Sequence, residues 1–273
     1  MQELSLEEKK GISFQILQDI DKLCKKHHIT YFLAYGSLIG AVRHQGFIPW
    51  DDDIDIWVPI AEYERFLAIA KKETPYRILD NLHDVGWSRS FSKVSDRRTV
   101  VINDEAKSRT LKKYGVSVDI FPLFGIPDDP AWCEKLLKTR RKVVYLQRYR
   151  MGLYKGLHPK NVSKKLWAGS NLLLGRDEQF FKSQILEQEL SNPDSPHVGC
   201  IISVYKTKDI HDRKWFSDTV KLSFEGVEFD APVGYDAVLR KIYGDYMQLP
   251  PPEMQKAHDL EHAFWVTSKD TDQ

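Results

Sequence analysis

Cysteine is scarce in this sequence. Cys24, Cys133 and Cys200 are the only three in 273 residues. They form no Cys-x-x-Cys pair and have no His at zinc-finger spacing, which argues against a disulfide framework and a structural zinc and for free thiols in a reducing compartment. Net charge is nearly absent too: 40 Lys and Arg stand against 39 Asp and Glu. Bulk charge therefore marks neither a nucleic-acid binder nor a membrane coat, and only a local patch could do either. No window approaches the roughly 18 apolar residues of a membrane span. Met1 to Lys10 is polar and lacks the apolar core of a signal peptide, so a cytoplasmic protein is expected, with peripheral contact at the inner face of the cell membrane left open. Repeats and low-complexity tracts are missing as well.

What is present reads as a mixed α/β (α+β) protein with a sizeable core. Ser5 and Glu8 form a capping-box pattern, and Ile12, Ile16, Ile20 and Leu23 recur at helical spacing, predicting a helix from Leu6 to His27. Ile29 to Tyr35 reads as a buried strand delivering Gly36 and Ser37 to a helix that runs to His44. Asp53 to Val58 reads as a second strand, and Tyr63, Phe66, Leu67 and Ala70 mark the next helix face. Short strands are expected at Tyr76 to Leu79, Ser90 to Val94, Thr99 to Ile102 and Val116 to Phe121, the last ended by Pro122. This gives a core of residues 1–125 with a mixed sheet flanked by helices. Residues 126–190 read as a basic helical insertion: eleven Lys and Arg and no acid lie between Lys135 and Lys165, interleaved with Tyr145, Tyr149 and Tyr154. Residues 191–273 read as a C-terminal segment packing back on the core, with a strand from Cys200 to Tyr205, a hairpin through Glu225 and Gly226 and a helix from Tyr235 to Tyr243.

The chemistry concentrates in Asp51, Asp52, Asp53 and Asp55. Strand alternation points Asp53 and Asp55 the same way while Ile54 and Ile56 face the core. Two carboxylates on one face suit Mg²⁺, which takes carboxylate and phosphate oxygens, and a two-metal site would serve an in-line displacement at phosphorus. Such a cluster resists joint ionisation without a counter-charge, and a cation removes the conflict; the alternative is an acidic turn held by water and a nearby Lys. Trp57 extends the same face and would wall the pocket. Gly36 and Ser37, at a strand-to-helix junction, offer backbone N–H groups to phosphate, or else form only a turn and cap. Asp119, inside Val116 to Phe121, needs a partner that is either a metal or a buried Lys or Arg, and the metal is preferred here. Lys93 and Arg43 are the candidate phosphate-facing cations. The alternative for Lys93 is an edge strand with its ammonium in solvent.

Gly36-Ser37, then Asp53-Ile54-Asp55, then Asp119 resembles the pattern of the nucleotidyltransferase superfamily. The longer run from Ala34 to Ile56 resembles the signature of the LicD family, which includes the fukutin-related proteins; Val118 to Leu123 resembles its second motif. Tyr243-Gly244-Asp245-Tyr246-Met247, with Leu249-Pro250-Pro251 and His258, resembles its closing motif. The resemblance implies a nucleotidyltransferase-like core that transfers phosphocholine from CDP-choline, or a similar CDP-activated donor, to a hydroxyl of a glycan acceptor. That acceptor would be a teichoic acid precursor or a lipopolysaccharide sugar, lipid-linked in some cases. It further implies Asp53, Asp55 and Asp119 as catalytic metal ligands for Mg²⁺, two ions with Mn²⁺ as an alternative, and Gly36 and Ser37 as the phosphate cradle. Choline would call for an aromatic cage, with Trp57, Trp87, Trp215 and Trp265 as candidates, although a packing role is the preferred reading of each. The match fails across the basic middle segment. That segment suggests docking at an anionic membrane surface, or else a solvated helix face, and carries no recognised nucleic-acid module. Two rival functions are an enzyme that moves the nucleotide itself onto a protein or small molecule, and a non-catalytic binding subunit.

Overall fold

The computed structural model describes residues 2–84, 87, 89–102, 114–150, 159–255 and 262–266. Tyr154 and His258 lie outside them. The chain opens with helix α1, Leu6–His27, whose Ser5 hydroxyl caps the Glu8 amide while the Glu8 carboxylate returns to the Ser5 amide, as the capping box requires. Strand β1 (Phe32–Leu33) is only two residues long. The expected strand ends early because Tyr35 already belongs to helix α2 (Tyr35–Ile39), which continues without a break into a π-helical turn, Gly40–His44. A Cβ at Gly40 would lie 2.3 Å from the Gly46 carbonyl oxygen, so the close return of the chain there requires glycine.

Strand β2 (Ile54–Pro59) and helix α3 (Ile60–Glu73) follow, then β3 (Arg77–Leu79), β4 (Ser92–Ser95), β5 (Thr99–Ile102) and β6 (Ser117–Ile126). The main sheet has the order β1-β2-β6-β4-β3, with β2 and β6 parallel and the other neighbours antiparallel. β6 does not stop at Pro122. On one side Pro122 pairs with Val58; on the other, β4 reaches only Ser117 to Ile120, and β7 (His197–Gly199) takes over at Phe124 to Ile126. The proline ring thus sits in the gap between two partners, where the ladder does not need its missing N–H.

Alternation sends Ile54, Ile56, Val118 and Ile120, all completely buried, to one face. Helices α1 and α3 pack against β2 and β6, and the Tyr63 hydroxyl of α3 donates to the Ile120 carbonyl at 2.8 Å. Three helices, α4 (Pro130–Arg150), α5 (Pro159–Leu173) and α6 (Glu178–Leu190), form the helical segment the composition predicts. From Cys200 to Tyr205 the chain turns rather than forming a strand. After a 3₁₀ turn at Lys206–Asp209 come β8 (Ile210–Asp212), which pairs with β7, and the hairpin of β9 (Thr219–Phe224) and β10 (Val227–Pro232). Glu225 and Gly226, both at positive φ (51° and 76°), make the expected hairpin turn. Helix α7 (Tyr235–Tyr243) has the predicted limits, and β11 (His262–Trp265) pairs with β5.

Candidate active site

The site is built on the second face of the sheet. In the parallel pairing of β2 with β6, Asp55 stands opposite Asp119; in the antiparallel pairing of β4 with β6, Lys93 stands opposite Asp119 from the other side. Residues opposite one another project to the same face, so three strands deliver two carboxylates and one ammonium in a row. Lys93 is buried, forms an ion pair with Asp119, and contacts the Ser117 hydroxyl at 3.2 Å. Its Nζ also lies 5.0 Å from the Tyr114 ring centroid and 5.6 Å from that of Phe91. A buried lysine is thus one partner of Asp119, and Lys93 does not stand on an edge strand with its ammonium in solvent.

Asp53 immediately precedes β2, and the loop before it brings Asp51 close. Burial raises the Asp55 carboxyl well above the ordinary range; Asp53, Asp119 and Asp51 raise it further, and Lys93 opposes them. Asp52 points away and pairs with Lys9 of α1 at 3.0 Å, so one of the four acids does follow the acidic-turn alternative.

Gly36 and Ser37 position this cluster from behind. The Ser37 hydroxyl is buried and accepts from the Asp55 amide at 2.8 Å, while the Ala34 amide donates to the Asp55 carbonyl at 2.9 Å. A Cβ at Gly36 would come within 2.8 Å of Asp51 Oδ2, so glycine gives that carboxylate its place. Before them stands Tyr35, a non-glycine residue at φ 42°. Its buried hydroxyl donates to Asp209 at 2.5 Å, and its ring packs against Trp57 (4.7 Å), Phe121 (5.0 Å) and Tyr205 (5.3 Å). This enclosure holds the backbone in a sparsely populated region. His211, also fully buried, is 3.0 Å from the other Asp209 oxygen.

Trp57 shares the Asp55 face but is completely enclosed among Tyr35, His211 and Phe216, so in this structure it is a core side chain rather than a pocket wall. Arg43 is partly buried, and its guanidinium donates to the Tyr246 carbonyl at 2.6 Å and to His44 at 2.9 Å, tying the π-helical turn to the residues after α7. Trp87, Trp215 and Trp265 do not converge. Trp87 is buried beside Tyr114, Trp215 lies by His211, and Trp265 stands on β11 beneath Arg98. The aromatic residues within reach of the Asp55 charge are others. Tyr205 and Tyr243 are half-buried, 5.2 Å apart between ring centres, with hydroxyls 2.8 Å apart. Burial raises both phenols, and the charge of Asp55 adds to the rise in each.

Among the described residues, no group of three or more His, Cys, Asp and Glu side chains is gathered tightly enough to hold a metal by itself. The donor chemistry nonetheless suits a hard divalent cation. Asp51, Asp53, Asp55 and Asp119 offer only carboxylate oxygens, and at Asp55 burial and the three other acids outweigh the opposing charge of Lys93.

Residues 28–150 match the family model described as LicD/FKTN/FKRP, nucleotidyltransferase domain. The chain is 30% identical over 273 aligned residues to the lipopolysaccharide cholinephosphotransferase LicD of Haemophilus influenzae, covering 97% of this chain and 99% of that protein. Shorter likenesses are to uncharacterized proteins of Rickettsia typhi, 42% over 79 residues (28% of this chain, 26% of that one), and Rickettsia prowazekii, 42% over 86 residues (31% and 29%).

Proposed function

Since the chain belongs to the LicD/FKTN/FKRP family of nucleotidyltransferase domains, we propose that it transfers phosphocholine from CDP-choline to a hydroxyl of a lipopolysaccharide or other bacterial cell-surface glycan, such as a teichoic acid precursor. The observation that carries this reading is the alignment of Asp55, Asp119 and Lys93 across three strands beside Asp53. Phosphoryl-group transfer needs little covalent help from the protein and depends on positioning and charge, and this row supplies both.

In this reading Asp53, Asp55 and Asp119 hold Mg²⁺, or Mn²⁺ in its place, as one or two ions. The bound metal would neutralise charge on the phosphate oxygens of the donor. Lys93 holds Asp119 in place and offers the one ammonium of the row to the phosphate. Ser37 fixes the backbone of Asp55, and Gly36 leaves room for Asp51. Asp119, once its proton-accepting oxygens face the acceptor, is the candidate base for the attacking hydroxyl. Tyr205 and Tyr243 offer aromatic faces for the quaternary ammonium of choline next to the carboxylates.

The test is incubation of the full chain with CDP-choline, Mg²⁺ and a panel of glycan acceptors, followed by mass analysis. CMP release with phosphocholine gained by the acceptor supports the reading. An acceptor that gains the nucleotide, or a chain that neither transfers nor hydrolyses the donor, overturns it in favour of nucleotide transfer or a binding subunit.

A further inference from the structure

Helix α5 is anchored from one side and bare on the other. Ala168 and Asn171 are buried, and Trp167 lies 6.1 Å from both Tyr145 of α4 and Phe181 of α6. On the opposite side Leu166, Leu173 and Leu174 are 70%, 90% and 67% exposed. At 3.6 residues per turn, Leu166 and Leu173 fall on one line with Ser163 and Ser170, both exposed, and Leu174 closes its C-terminal end. The same step puts Lys165 on one flank of the stripe, whereas Lys160 falls on the line of Trp167, on the anchored side. Lys164 reaches over the Tyr145 ring of α4, and Arg141, Arg148 and Tyr149, all exposed, are that tyrosine's helical neighbours. A solvated helix face would carry the cations without the leucines, and a face covered by protein would not be bordered by Arg141, Arg148 and Lys165 in a stretch with no acid between Lys135 and Lys165.

We propose that this face of α5, with the adjoining edge of α4, docks the protein on an anionic lipid bilayer, the leucines entering the headgroup boundary and the lysines and arginines facing lipid phosphates. The combination of an apolar stripe with flanking cations is what an interfacial helix needs, because apolar burial and attraction to anionic lipid add. The proposal is independent of the transfer reaction, since it concerns a surface on another part of the chain and its test uses no donor or acceptor.

The experiment is flotation of the full chain with vesicles of phosphatidylcholine alone or mixed with phosphatidylglycerol, at low and high salt. Retention on the phosphatidylglycerol vesicles at low salt is expected. The triple variant Leu166→Gln, Leu173→Gln, Leu174→Gln should lose about a hundredfold in affinity, with an unchanged melting temperature because all three positions are exposed. Arg148→Gln with Lys165→Gln should lose about fivefold per cation at low salt and little at high salt. Failure of the natural chain to float with anionic vesicles overturns the proposal, as does a triple variant that floats equally well. A concentration-dependent dimer that the leucine substitutions abolish, without vesicle binding, assigns the stripe to a second copy instead.

Discussion

Asp55 and Asp119 face one another across the parallel pair of strands β2 and β6, but they are not equally compensated. Asp119 has Lys93 directly opposite it and in contact. Asp55 has Asp53, Asp119 and Asp51 around it, and its carboxyl is pushed well up as a result of burial and their charge. The fold therefore contains one neutralised carboxylate and one frustrated carboxylate side by side, and a divalent cation would relieve the second without disturbing the strands.

Replacing Asp55 by Asn removes the frustration and, in the proposed reading, a metal ligand together. Without Mg²⁺ the Asp55→Asn chain should melt higher than the natural one, by roughly 2–4 °C for each kcal/mol relieved. Mg²⁺ should raise the melting temperature of the natural chain and leave that of the variant unmoved. Transfer should fall by about a thousandfold or more, beyond the 10–100-fold that outer-shell partners of a metal site cost. A variant that turns over at a near-natural rate refutes the site.

Lys93 and Asp119 make a different case, because they are buried together. Lys93→Met leaves a buried carboxylate without its ion pair and should cost about 3–5 kcal/mol, read from denaturant unfolding. The double variant Lys93→Met, Asp119→Leu should recover most of that stability and none of the activity. Recovery of both would make the pair purely structural.

Gly36→Ala probes the space kept for Asp51. The new methyl meets the end of a side chain that can swing aside, so stability should fall by only about 1 kcal/mol. Transfer should fall much more, since the displaced carboxylate belongs to the cluster around Asp55. Melting curves and turnover measured on the same preparation separate the two effects.

Local signals were readable in the sequence, and partnerships across the fold were not. The capping box located α1, helical periodicity located α3, and Glu225-Gly226 located the hairpin, because each depends on neighbours within a few positions. Asp53, Asp55 and Asp119 were legible as acids in apolar strands. That Asp119 meets Lys93 depends on β4 lying against β6, a register that spacing along the chain does not encode. Pro122 by itself predicts a strand end, and its tolerance inside β6 depends on a gap between β4 and β7. The contact of Tyr35 with Asp209 joins distant segments that sequence spacing does not link, whereas an Asp and a His two apart beside a short β run (Asp209, Ile210, His211) are a usable hint of a buried polar pair. Tyr205 and Tyr243 come together from separate segments, and only the motif at Tyr243 pointed to either.

A pH effect is expected away from the site. Burial alone would raise Asp80, but hydrogen bonds from Lys71, His83 and the Leu82 amide outweigh it and hold the carboxyl below its ordinary value. The stability this contributes is present above the unfolded-state pKa of about 3.9 and is lost as pH falls through the lower folded-state value. Asp80→Asn should therefore be less stable than the natural chain near pH 7, by about 1–3 kcal/mol, and the gap should close below about pH 4. Unfolding midpoints across that range test the sign; a gap that widens in acid contradicts it.

The donor's alcohol tests the aromatic border. If Tyr205 and Tyr243 face a quaternary ammonium, the ring of Tyr205 matters and its hydroxyl does not. Tyr205→Leu should raise KM for CDP-choline by about 5–30-fold, the range of one cation–π contact of 1–2 kcal/mol, with kcat little changed. Tyr205→Phe keeps the ring, gives up only the hydroxyl contact with Tyr243, and should stay within about threefold of the natural chain. CDP-ethanolamine, whose primary ammonium is compact and strongly hydrated, should be affected less by Tyr205→Leu than CDP-choline is. Equal losses with both donors would mean that Tyr205 supports the fold around Tyr35, with which its ring packs, and that choline is recognised elsewhere.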